Sequence, residues 1–282
     1  MEHHQHHSAL DSGDHSAAMA ELLDLDAEVS SAYLCDVTAW VSRQAADMPR
    51  RILDLGAGTG TGTIALAQRF GLADVIALDA SAEMLDRVRD KASSAGLADR
   101  VQTVQADLNA GWPAIEPVDL VWASSSLHHM ADPAAVLDSV FAAISPGGLL
   151  AVTEMDAPPR FLPDDIGLGR PGLESRLHHA LEQAQTGWPP SPDWGPYLEQ
   201  ARFAVLSRQT FTIDLKPPHT APVCRYAGTY LRRVRPVLEG RLAGDDLTTL
   251  DALLASDGPD SLLRRGDLVV RGSRTAWAAR RP

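Results

Sequence analysis

Arg50-Arg51-Ile52-Leu53-Asp54-Leu55-Gly56-Ala57-Gly58-Thr59-Gly60-Thr61-Gly62 is the stretch that decides how this 282-residue chain is read. Ile52, Leu53 and Leu55 form a short apolar run between a charged entry and glycines, the pattern of a buried strand. Gly56, Gly58 and Gly60 let the backbone turn sharply and approach a ligand without side chains in the way. Residues 63–70 read as a helix whose N-terminus faces whatever the loop holds. Strand, glycine turn and helix make the layout of a nucleotide site, with a plain tight turn as the alternative. The dinucleotide fingerprint G-x-G-x-x-G fails here. Counted from Gly56 it needs glycine where Thr61 stands, and counted from Gly58 it lands on Thr63. No G-x-x-x-x-G-K-[ST] occurs, since the only lysines are Lys91 and Lys216. NAD and ATP sites are therefore disfavoured.

The following strands extend the pattern. Residues 74–79 read as a second buried strand ending at Asp79, 19 residues after Gly60. A carboxylate about 20 residues beyond the glycines is placed to accept from both hydroxyls of a ribose. The alternative is an Asp that caps the next helix, expected at 80–91. A third strand, 101–106, ends at Asp107. A fourth, 118–123, runs into Ser124-Ser125-Ser126-Leu127-His128-His129. Asp132-Pro133 then supplies an N-cap and a first helical residue. That helix reaches about residue 144 and stops at Ser145-Pro146-Gly147-Gly148. A fifth strand, 149–153, exits through Glu154-Met155-Asp156.

With ILDLGAGTG, VIALDAS followed by Met84, QADL, SSSLHHMADP and SPGGLLAVTE in this order, residues 49–156 resemble the class I S-adenosylmethionine-dependent methyltransferases. The resemblance implies an α/β fold: a Rossmann-like, mostly parallel seven-stranded sheet with helices on both faces. An N-terminal helical lid and helical inserts near the C-terminal strands would complete it. It implies S-adenosylmethionine as cofactor, with Asp54, Gly56, Gly58 and Gly60 holding the methionine part and Asp79 the ribose. Met84 would pack on the adenine and Asp107 would read its amino group, with Ala57, Ala80, Ala106, Leu108 and Ser124 beside them. The implied domains are a His-rich disordered tail and helical lid over 1–48, the cofactor-binding core over 49–156, and substrate-binding inserts with closing strands over 157–282.

Missing motifs narrow the acceptor. Enzymes of this kind that methylate adenine or a glutamine amide usually carry an [Asn/Asp]-Pro-Pro-Tyr turn after the fourth strand, where this chain has Ser124-Ser125-Ser126-Leu127. The acidic ligands of metal-dependent catechol methyltransferases are also missing there, so no metal is expected. The reading is in-line methyl transfer to an oxygen, nitrogen or carbon of a small molecule, with a specialised metabolite as the expected acceptor. A sulfonium is already a good leaving group, so alignment can supply most of the acceleration. The competing reading is a cofactor-binding protein without methyl transfer, or one running another sulfonium reaction.

His128 and His129 leave the fourth strand beside the place expected for the methyl group. An imidazole with an ordinary pKa near 6.5 can take a proton from an acceptor at neutral pH. His128 comes first out of the strand and is the preferred base, and Glu154 and Asp156 are rivals.

Composition sets outer bounds. At 45% hydrophobic residues the chain can bury one sizeable core with additions. A formal charge of −12 argues against a nucleic-acid or anionic-membrane partner. The stretch 225–281 is locally arginine-rich. Two cysteines, Cys35 and Cys224, without C-x-x-C spacing suit a reducing cytoplasm. No long apolar run or signal-like start is seen. A small-molecule acceptor is the expected partner, and a homodimer the expected alternative to a monomer.

Outside the core, His3, His4, His6 and His7 read as a tag or tail. Leu22, Leu25, Val29, Tyr33, Val37 and Trp40 recur at helical spacing, as one long helix or two. That segment either covers the cofactor or packs on the sheet edge. Further expectations are a helix at 172–185, a Pro-rich linker at 188–192, a helix at 193–202, a strand at 204–215, two helices within 222–265 and a closing strand at 275–280. Trp188, Trp194, Tyr197, Tyr226 and Tyr230 are candidate pocket-lining aromatics.

Overall fold

The computed structural model describes residues 6–184, 192–218 and 221–282. Helices α1 (His6–Val29) and α2 (Ser31–Gln44) come first. They are followed by β1 (Arg51–Leu55), α3 (Thr61–Arg69), β2 (Asp74–Asp79), α4 (Ala82–Ser94), β3 (Val101–Gln105), β4 (Val118–Ser124), α5 (Pro133–Ala143) and β5 (Ile144–Met155). The remaining elements are α6 (Leu173–Gln183), α7 (Trp194–Gln200), β6 (Ala204–Leu215), α8 (Ala221–Val234), α9 (Gly244–Leu254) and β7 (Val270–Arg280).

The strands form one sheet in the order β3-β2-β1-β4-β5-β7-β6. Strands β1 to β5 pair in parallel, and β7 runs antiparallel to β5. The strand order reverses between β1 and β4, so the crevice for a ligand lies outside their carboxyl ends. Both strands are buried along almost their whole length, as parallel strands covered on both faces are. Alternation sorts their side chains. Leu53, Leu55, Ile76 and Leu78 face one way and share a cluster with Val136, Leu137 and Val140 of α5 and Trp194 and Leu198 of α7. Ala77 faces the other way, onto Leu85 and Val88 of α4. Local caps set the helix starts. Ser81 Oγ accepts from Met84 N at 3.3 Å at α4, and Asp132 Oδ1 from Ala135 N at 3.1 Å at α5, where Pro133 follows.

Several segments differ from the sequence expectation. Helix begins at His6, inside the stretch read as a tail, while His3 and His4 lie outside the described residues. The apolar stripe forms two helices. Strand β5 starts at Ile144, not 149, because Ile144 pairs with Val118 before the register shifts ahead of Leu120 and Leu149. Trp194 is not a pocket aromatic: it is 1% exposed within the core under α5 and the sheet. Trp188 lies outside the described residues.

The chain divides into two compact units. One comprises Ser31–Asp156, Ser191–Phe211 and Ser273–Pro282, and the other Met1–Ser30, Ala157–Pro190 and Thr212–Gly272. In the second, Leu25, Phe161, Leu177, Tyr226, Tyr230 and Leu250 belong to one apolar core. Helix α1 is tied to α8 by Tyr226 Oη donating to Asp26 at 2.7 Å and by an Arg225–Glu21 ion pair at 2.8 Å. Glu174, 4% exposed, accepts from the backbone amides of Phe161 at 2.7 Å and Leu162 at 3.2 Å.

Burial raises the Glu174 carboxyl from 4.5 to about 7, against the lowering effect of those two amides. The folded form therefore holds a proton that the unfolded chain has lost, and this contribution to stability is full below pH 4.5 and fades as pH rises through about 7. From the shift, the change is about 3 kcal/mol. Denaturant titrations at several pH values should show Glu174→Gln flattening this slope, even though the variant loses one backbone hydrogen bond. An unchanged slope would refute the assignment.

Candidate active site

The glycine loop lies over the end of β2. Gly56 N and Ala57 N donate to Leu78 O at 2.8 and 2.9 Å, and Gly58 N donates to Asp79 Oδ2 at 2.8 Å. Asp79 Oδ1 accepts from Ser81 N at 2.9 Å. Ser81, and not Asp79, caps α4, so the capping alternative for Asp79 does not describe this turn. Its half-buried carboxylate instead joins the loop to the strand end. Each oxygen keeps a second lone pair for another donor.

Two glycines leave no room for a side chain. Gly56 has φ +72°, and a Cβ there would stand 2.5 Å from Ser126 Cβ; at Gly60, φ +83°, it would meet Val88 at 2.8 Å. The turn after β4 thus abuts the first glycine of the loop. Gly56→Ala should cost about 1–2 kcal/mol from left-handed backbone alone, plus the clash with Ser126. Thermal melting checks the first effect and ligand titration the displacement of the loop. An unchanged melting point and affinity would show that the loop tolerates a side chain.

Beneath the loop, Asp54 is 2% exposed and accepts from Thr63 Oγ1 at 2.6 Å. Desolvation pushes its carboxyl up to about 7, partly opposed by the Thr63 hydrogen bond and reinforced by the charge of Asp79. Helix α3 starts from Gly60 without a side-chain cap. Lys91 Nζ braces the loop through Thr59 Oγ1 at 3.1 Å and Thr61 Oγ1 at 3.0 Å. The sequence held no signal for this lysine beyond its rarity.

The remaining sequence candidates have the following surroundings. Met84 is buried and Ala80 exposed, with Ala80 O accepting from Gln105 Nε2 at 3.1 Å. Ala106 N donates to Asp79 O at 3.1 Å, bringing the ends of β2 and β3 together. Asp107 is exposed and holds Asn109 through its backbone and side-chain nitrogens at 2.9 and 3.1 Å. Asn109 in turn accepts from Ala131 N at 2.8 Å. Leu108 is half-buried, and Ser124 Oγ accepts from Thr153 Oγ1 at 2.8 Å.

At the carboxyl ends of β4 and β5, His128 Nδ1 lies 2.8 Å from Glu154 Oε2, with the side chains 9% and 1% exposed. His129 is exposed and its ring sits 4.0 Å from that of His128, tilted by 46°. Asp156 is exposed and accepts from Ser273 Oγ at 2.6 Å. Ser125, between β4 and His128, has φ +51°, an uncommon conformation for a serine. Three polar atoms in this neighbourhood are buried without a hydrogen-bond partner: Trp122 Nε1, Ser126 Oγ and Glu154 Oε1. Orphaned polar atoms are uncommon in native interiors, and a polar ligand is one way to give such atoms partners.

The buried face of α2 packs on the edge strand: Tyr33 and Trp40 meet Phe211 edge-on at 5.6 and 6.2 Å. These contacts set α2 against the sheet edge. Among the described residues no cluster of three or more His, Cys, Asp or Glu could hold a metal ion. Nor is any helix there long and apolar enough to cross a membrane.

Comparison with known proteins adds three findings. Residues 52–148 match the family described as "Methyltransferase domain". A trans-aconitate 2-methyltransferase of Azoarcus sp. is 35% identical over 191 residues, covering 67% of this chain and 64% of the relative. The Pseudomonas aeruginosa protein of that name is 34% identical over 142 residues, covering 46% and 49%. The chain therefore spans about half to two thirds of the length of these relatives. Among solved structures, a putative methyltransferase from Bacillus halodurans aligns with TM-score 0.55 at 18% identity, covering 87% of this chain and 98% of that one. The [4+2]-cyclase SpnF aligns with TM-score 0.52 at 19% identity, covering 88% and 81%. At such identities the two structures establish a shared fold, and the cyclase illustrates that this fold hosts more than one chemistry.

Proposed function

We propose, from the match of residues 52–148 to the methyltransferase-domain family, that the protein transfers a methyl group from S-adenosylmethionine to an oxygen, nitrogen or carbon atom of a small molecule. The observation that carries this reading is the Asp79–Gly58 junction, which fixes a carboxylate against a glycine loop that has no room for side chains. Asp54 and Gly56, Gly58 and Gly60 would hold the methionine part, Asp79 the ribose hydroxyls, Met84 the adenine face and Asp107 its amino group. The three orphaned polar atoms fit the same assignment, because a polar ligand at the strand ends would give them partners. When bound, the cofactor supplies a sulfonium-activated methyl.

The chain's own task is then to align the acceptor and keep water out. Of the four groups read as bases, His128 suits the role best, being shielded and held by a carboxylate. Asp156 is engaged with Ser273. The trans-aconitate relatives make an organic acid one candidate acceptor, and a specialised metabolite remains the other. Calorimetric titration should show binding of S-adenosylmethionine and S-adenosylhomocysteine and none of NAD. Mass spectrometry of a broad acceptor panel should then show one methyl added. Absence of cofactor binding would overturn the proposal, and binding without any transfer would favour a cofactor-binding protein of other chemistry.

A further inference from the structure

We infer that Glu154 positions His128 as a general base, and that the acceptor is a hydroxyl or amine that must shed a proton, not a carboxylate. This rests on the methyltransferase reading and narrows it. Four observations carry it. His128 stands two residues beyond Ser126, which touches the place where Gly56 lacks a side chain, so its turn borders the loop assigned to the methionine part. Its Nδ1 is 2.8 Å from a carboxylate oxygen of Glu154. Glu154 is 1% exposed, and a buried carboxylate is costly unless a partner repays its desolvation. The other oxygen, Oε1, has no protein partner, so this carboxylate is not consumed by a larger structural network.

Chemistry follows from the tautomer. A carboxylate accepting at Nδ1 keeps the proton on Nδ1, which makes Nε2 the nitrogen that takes a further proton. The same carboxylate stabilises the imidazolium that forms, as in other base–orienter pairs. With S-adenosylmethionine bound, the acceptor oxygen would bond to the methyl carbon as the sulfur left with the bonding pair. The hydroxyl proton passes to Nε2, leaving an ether, neutral sulfur and an imidazolium paired with Glu154. A carboxylate acceptor is already ionised at neutral pH and has no proton to give. An oriented, shielded base would then have nothing to do.

Two measurements test this on the full chain saturated with S-adenosylhomocysteine or S-adenosylmethionine. Long-range proton–nitrogen NMR of the histidine rings reads the tautomer without turnover. The Nδ1-protonated form of His128 is expected in the parent, and a mixture in Glu154→Gln. An Nε2-protonated parent, or a Glu154→Gln spectrum identical to it, overturns the inference. If Glu154→Gln does not fold, the parent spectrum decides alone. In the second arm, phenols, alcohols and amines are compared with trans-aconitate as acceptors. Transfer to the first group is expected, falling by roughly 10²–10⁴-fold in His128→Ala and also in Glu154→Gln, with acceptor KM and cofactor affinity unchanged. Methylation of trans-aconitate at equal rates in parent and both variants overturns the inference while leaving the methyltransferase reading intact. Loss of cofactor binding in the parent would instead sink that reading.

Discussion

Asp79→Ala is expected to weaken S-adenosylhomocysteine binding by roughly tenfold to a hundredfold, from the 1–3 kcal/mol cost of leaving polar groups unpaired. Two losses combine. The carboxylate accepts from Gly58 N at 2.8 Å and Ser81 N at 2.9 Å, so its removal frees both the glycine loop and the first residues before α4. It would also leave two ribose hydroxyls without their common acceptor. Asp79→Asn separates the effects, because an amide oxygen can still hold one backbone N–H while losing the charge and one acceptor. Affinity should therefore fall in the order parent, Asn, Ala. Calorimetric titration, with melting curves to confirm folding, measures it. Equal affinity in all three proteins would return Asp79 to a local structural role.

A second large effect concerns pH. The Asp54 carboxyl sits at about 7 because burial penalises its charge. Below that pH the free protein carries a proton there. The ammonium of the methionine part, placed near Asp54, would favour the ionised carboxylate, so binding must release that proton. Affinity for S-adenosylhomocysteine should rise with pH, approaching about tenfold per unit between pH 5 and 7, and level off above. The window ends below about 7.7, where amino groups of this kind begin to titrate. Calorimetry in buffers of different ionisation heat reads the released proton directly, and Asp54→Asn should abolish both the release and the slope. Affinity independent of pH in the parent would show that Asp54 does not meet the ligand's cation.

The local parts of this molecule were legible in the order of residues. Ile52–Leu55 and the second buried run, the glycine turn, the Asp132-Pro133 start of α5 and the edge strand at 204–215 depend on neighbours a few positions apart. Periodicity and turn chemistry therefore reveal them. Asp79 was legible for the same reason, as the last residue of a strand whose next turn is close by. What the sequence left open was decided by contacts between distant residues. Trp194 and Tyr226 read alike as pocket-lining aromatics, yet one is buried beneath α5 and the other donates to Asp26 across 200 residues. Ile144 joined β5 because Val118 of β4 lies beside it, despite Pro146 and two glycines that signal a turn. Lys91 reaches the loop only because α4 folds back along β2.

The pairing of His128 with Glu154 is the clearest case. They stand 26 positions apart, one after β4 and one at the end of β5, and a crossover helix makes those strands neighbours. Sequence reasoning treated Glu154 as a competitor of His128 because both are proton acceptors. Only the parallel register, which sets Ser124 beside Thr153, brings the two ends to one height and turns the rivals into partners. Hydrophobic pattern specifies that a strand is buried on both faces, but not which strand lies beside it. That choice belongs to the packing of the whole sheet, and with it the geometry of the candidate base.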